Sequence, residues 1–119
     1  NGASPTQVEK EVTEPIEMAI QEIAEVDYIE SLSTQGQSLV KIDIKSEYWS
    51  DQLPQIWDTL RRKMNDIESS LPAGASTPLV HDDFGDVYGF VFAVTGDGYS
   101  YEELETEVKN IKRKLKLFN

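Results

Sequence analysis

Apolar residues recur at helical spacing near the start of the chain. Val8, Val12, Ile16, Ala19, Ile20 and Ile23 share one stripe, and Glu9, Glu11, Glu14, Glu17 and Glu22 mostly take the other sides. The start is marked by Ser4-Pro5-Thr6-Gln7: a serine at the N-cap, proline at the first helical position and glutamine where a capping box needs it. Pro15 has no N–H to offer the carbonyl of Glu11, so a kink is expected there. The period then shortens. Residues 27–34 and 39–45 flank a turn at Gln35-Gly36-Gln37-Ser38. The second run alternates, with Val40, Ile42 and Ile44 on one side and Leu39, Lys41, Asp43 and Lys45 on the other. This predicts a β-hairpin with one face on a core and one partly wet.

A second helix is expected over about residues 51–71, its stripe formed by Leu53, Ile56, Trp57, Leu60, Met64, Ile67 and Leu71. Pro54 is tolerable because it falls in the first turn, and Leu71-Pro72-Ala73-Gly74 stops the helix. Residues 74–86, with their Pro, Gly and Asp, read as a connector. Val87 to Val94 is the strongest strand of the chain, followed by a turn at Thr95-Gly96-Asp97-Gly98. A second capping box, Ser100 with Glu103, opens a closing helix whose stripe is Leu104, Val108, Ile111 and Leu115. The order is helix, strand, strand, helix, connector, strand, helix. This is an α+β class in which neither half is complete: the first half reads as a split βαβ unit without its leading and closing strands, and the 87–94 strand is left without a partner. Open sheet edges follow, and such edges favour dimerisation.

Composition narrows the function classes. The chain has 119 residues, of which 39% are hydrophobic, enough for a modest core. No apolar run approaches the roughly 18 residues that cross a bilayer, and no signal peptide is evident, so a soluble segment is expected. A net charge of −11 disfavours nucleic-acid partners. The cations at Lys109, Lys112, Arg113, Lys114 and Lys116 suit a helix C-terminus better than a phosphate site. The absence of cysteine removes disulfides, zinc ribbons and thiol catalysis.

Candidate chemistry is sparse. His81-Asp82-Asp83 with Asp86 lacks a repeated ligand spacing and reads as a solvated loop, not a metal site. Gly96-Asp97-Gly98 lacks a nucleotide fingerprint and reads as a turn. The lone histidine has no serine partner in a known motif, and nothing selects two of the many carboxylates for acid–base work. No enzyme, no metal and no cofactor is expected of this chain.

Gly2-Ala3-Ser4-Pro5, leading into Val8-Glu9-Lys10-Glu11-Val12-Thr13-Glu14-Pro15-Ile16-Glu17, resembles the entry to the periplasmic region of resistance-nodulation-division (RND) efflux transporters. The resemblance continues in order through Ile29-Glu30-Ser31, Gly36, the 39–44 strand, Leu71-Pro72-Ala73-Gly74, the 90–94 strand, Thr95-Gly96-Asp97-Gly98 and the closing helix. It implies two incomplete ferredoxin-like porter subdomains, 1–73 and 87–119, joined by the 74–86 connector. It further implies a proton-driven pump in a Gram-negative inner membrane, with this segment on the periplasmic side. The implied partners are the rest of the transporter chain and its homotrimer, a periplasmic adaptor, an outer-membrane channel and amphiphilic small molecules.

The resemblance also places residues. Lys41 and Asp43, with Ser33 on the neighbouring strand, would face the substrate cavity, and Val87 and Phe90 would add apolar lining. The plainer readings are an exposed strand face for the polar residues and ordinary sheet core for Val87 and Phe90. Asp58, Arg61 and Arg62 lie off the stripe of the second helix; they would face its copies around a trimer axis, or simply solvent. Two rivals remain, a free-standing ferredoxin-like binding or regulatory module and, more weakly, a small hydrolase on that scaffold.

Overall fold

The computed structural model describes residues 3–48, 51–82 and 87–95, together with the isolated helical positions Lys109 and Arg113. The first helix starts as its capping box dictates. The Ser4 side chain accepts from the N–H of Gln7 and the Gln7 side chain accepts from the N–H of Ser4. It runs as α1 (Pro5–Val8), a π-helical turn (Glu9–Thr13) and α2 (Glu14–Gln21). The chain meets Pro15 by widening the turn before it: the N–H of Glu14 reaches back to the carbonyl of Glu9. One extra residue in that turn absorbs the missing donor, as π-bulges do.

Strands β1 (Val26–Thr34) and β2 (Gln37–Ile44) form the expected hairpin, closed by two residues with Gly36 at a φ of 71°. Helix α3 (Leu53–Ile67) ends in a short 3-10 turn (Glu68–Ser70), and its stripe of Leu53, Ile56, Trp57, Leu60 and Met64 is buried. Strands β3 (Leu79–Asp82) and β4 (Tyr88–Val94) follow. The sheet is antiparallel throughout, in the order β1-β2-β4-β3.

Two expectations change here. The 74–86 segment contains a strand, since Val80 pairs with Val91 in β4. The 87–94 strand is not partnerless: β4 lies between β2 and β3 and shares one sheet with the hairpin. Local pattern cannot reveal such pairings, which are fixed by long-range contacts. Of the expected closing helix only Lys109 and Arg113 are described; its capping box and the turn at 96–98 lie outside the described residues, as do Asp83 and Asp86.

Both helices cover the same face. Val8, Val12, Ile16 and Ile20 pack with Leu53, Trp57, Leu60 and Met64 over Val40, Ile42, Ile44, Val91 and Ala93. Gly89 is required by this packing: a Cβ there would stand 2.9 Å from Cη2 of Trp57 and 3.1 Å from the His81 carbonyl oxygen. No helix among the described residues is long and apolar enough to cross a membrane.

Candidate functional site

The pleat sorts the candidate residues between two faces. Because Lys41 pairs with Phe90 and Asp43 with Tyr88, these four side chains share the face away from the helices. Lys41 Nζ stands 5.5 Å from the centre of the Tyr88 ring, within cation–π range. Tyr88 meets Phe90 edge-on, with centroids 6.2 Å apart. Tyr28 and Glu30 join the same face from β1, opposite Asp43 and Lys41.

Asp43 is the electrostatically unusual group. One of its carboxylate oxygens is buried without a hydrogen-bond partner. Burial pushes its pKa up; the Lys41 charge opposes the rise, Glu30 and Asp27 add to it, and a hydrogen bond from Tyr28 lowers it. The face is therefore a row of charges held beside aromatic rings.

The apolar half of this face is not open. Leu39, Phe90, Phe92 and Val94 form a second buried cluster, against which Leu79 and Tyr88 pack. Phe90 is only 2% exposed, so in this chain it is sheet core. Val87, by contrast, is exposed; its carbonyl accepts from the N–H of Ile44. It lies just outside β4 and is not part of the buried cluster that holds Phe90.

Ser33 does not join Lys41 and Asp43. It pairs with Ser38 and points to the helix side, where Thr13 Oγ1 lies 2.8 Å from Ser33 Oγ and 2.6 Å from Ser38 Oγ. Thr13 and Ser38 are fully buried, and the three hydroxyls satisfy one another beneath the π-helical turn. A polar cleft of about 360 Å³, lined by Thr6, Glu9, Thr13, Glu17, Ser31 and Ser33, opens beside them. The signal for this trio was a threonine next to Val12 on the apolar stripe.

The helical candidates separate as well. Asp58 and Arg62 are exposed, and Arg62 donates to the Thr59 hydroxyl at 3.3 Å. Arg61 bonds Asp58 at 3.1 Å and also bonds Asp82, tying α3 to β3. Asp82, one of the sequence-level metal candidates, is thus engaged by an arginine.

The profile of the AcrB/AcrD/AcrF family matches residues 1–118. Protein HelA of Legionella pneumophila is 31% identical over 100 residues, which cover 80% of this chain and 9% of HelA. The chain therefore spans only a small part of the length of that relative. No solved structure matches the chain.

Proposed function

Since the chain belongs to the AcrB/AcrD/AcrF family of RND-type transporters, we propose that it forms part of the periplasmic porter region of a proton-driven exporter in a Gram-negative inner membrane. In this reading Lys41 and Asp43, on the sheet face away from the helices, lie along the path of amphiphilic substrates. The exposed side of α3, with Asp58 and Arg62, faces the copies of this helix around a trimer axis. Adaptor and outer-membrane channel proteins complete the assembly, and proton flow belongs to parts of the transporter outside these residues.

The order α-β-β-α suits a split βαβ unit, in which the leading strand lies antiparallel beside the third. That place, next to β2, is held here by β4. Ala3 accepts from the N–H of Gly36 at 2.7 Å and donates to the Thr95 hydroxyl at 3.0 Å, so a strand leading into Ala3 points along this same place. In the whole transporter a leading strand takes the place beside β2, and residues 87–119 begin a second porter subdomain.

The observation that carries the substrate reading is the joint placement of Lys41 and Asp43, with Tyr28, on the sheet face opposite α1, α2 and α3, a placement that the β1–β2 hairpin fixes whichever strand lies beside β2. The test is export of a cationic amphiphilic dye by cells carrying the whole transporter. Lys41→Ala and Asp43→Asn are expected to change dye accumulation at least about threefold at unchanged transporter level, while Ser33→Ala, on the helix side, leaves it unchanged. If both Lys41→Ala and Asp43→Asn transported like the parent, the substrate-path reading would fail.

A further inference from the structure

Strand β1 presents an edge unlike the other strands. It stands at the end of the sheet and runs nine residues, Val26–Thr34, whereas the opposite edge strand β3 has four and is tied to α3 through Arg61 and Asp82. Natural edges are usually blunted by lysine, proline, shortness or a bulge. The β1 sequence VDYIESLST has no lysine and no proline. Its one irregularity lies between Val26 and Tyr28, so the register is regular from Tyr28 to Thr34. Asp27, Tyr28, Glu30, Ser31 and Leu32 are all exposed.

The side chains along this edge have a readable pattern. Tyr28, Glu30 and Leu32 share the face away from the helices, and Tyr28 and Leu32 are 53% and 46% exposed, so two apolar side chains flank a carboxylate. On the helix side the Ser31 hydroxyl donates to Glu17, which brings a second carboxylate to the edge. β1 itself carries no cation; Lys41 faces Glu30 from the inner strand β2, and Asp27, Glu30 and Glu17 keep the outer edge net acidic.

We infer that the outer edge of β1 accepts an extended segment of a partner polypeptide, one that sets a lysine or arginine between two apolar residues on one face. Backbone hydrogen bonds along the strand supply affinity, and the apolar–basic–apolar alternation supplies selectivity. A second copy of this chain is the wrong occupant. Self-pairing would set an edge that carries Asp27 and Glu30 and no cation against its own copy, between chains that each carry a net charge of −11.

The test uses the isotope-labelled chain and two blocked heptapeptides, Thr-Val-Thr-Lys-Thr-Val-Thr and the same peptide with glutamate for lysine. Amide shifts and exchange protection are followed by NMR. The lysine peptide is expected to perturb and protect amides across β1 and to bind about tenfold tighter than the glutamate peptide. Glu30→Lys should reverse the preference, which a merely destabilised variant does not do. N-methylation of alternate peptide amides should remove binding while keeping the charge. The proposal is overturned if the lysine peptide fails to bind, if its footprint lies on β3 or the apolar cluster, if the two peptides bind alike, or if the chain alone is a dimer with β1 amides already protected.

Discussion

Asp43 shows how one side chain carries the character of a whole sheet face. Its folded-state pKa lies above the ordinary aspartate value of 3.8, because burial penalises the charged form more than Lys41 relieves it. The sign for stability follows. Near neutral pH the ionised carboxylate costs folding free energy, and that cost disappears as pH falls through the raised pKa towards the ordinary value. Asp43→Asn keeps the shape and removes the ionisation. It is expected to raise the urea midpoint at pH 7 and to leave it unchanged below pH about 3, where parent and variant carry the same charge. Equal midpoints at pH 7 would show that the carboxylate is not penalised by its surroundings. Glu22 makes the contrast. It sits on the surface beside Lys63 at 2.8 Å, which lowers its pKa, and such an exposed pair contributes little to stability. The alternation of β2 made the placement of Asp43 legible. The fate of its buried oxygen depends on the packing around it and was not.

At the scale of the element, the first helix illustrates both the reach and the limit of local pattern. Its capping box is present as Ser4 and Gln7 require, and its apolar stripe is buried. Pro15 announced a defect but not its form, because a kink and a π-turn both remove the missing bond; the choice rests on where Thr13 must go. The π-helical turn ends at Thr13, and its hydroxyl reaches Ser33 and Ser38 together. Thr13→Val should leave both serines short of a partner under the helix and cost about 1–3 kcal/mol. Adding Ser38→Ala should recover part of that loss, because an apolar pair replaces a half-satisfied one. Urea unfolding of the two single variants and the double variant measures the coupling; strict additivity would remove the hydroxyl trio from the account of this helix. The same hairpin shows what counting could have given. A two- or four-residue turn around Gly36 sets odd positions of β1 opposite even positions of β2, which puts Ser33 with Val40 and Ser38 rather than with Lys41. The resemblance groups Ser33 with Lys41 and Asp43, whereas parity, like the structure, puts it on the helix side.

For the molecule as a whole, the decisive fact is which strand lies beside β2. Strand content and the apolar faces were readable in the sequence, but sheet order was not, since two apolar faces on β4 fit several neighbours equally well. In this chain β4 pairs with β2 from Gln37–Val94 to Asp43–Tyr88, so segments 26–44 and 79–94 share one core. The proposed transporter context gives that place to a leading strand instead, and the two arrangements differ in whether β2 and β4 are paired. Directly paired antiparallel residues have Cα atoms roughly 4.5–5.5 Å apart, inside the range a disulfide spans. Gln37→Cys with Val94→Cys should therefore cross-link readily under mild oxidation in this chain, which has no cysteine of its own. Gln37→Cys with Phe92→Cys, two residues out of register, should not. In the whole transporter the first pair is expected to stay reduced, because β4 has left β2 for the second subdomain. A cross-link there would keep β4 in the first sheet and remove the boundary proposed at 74–86. Absence of the cross-link in the isolated chain would overturn the β2–β4 register from which both arrangements are compared.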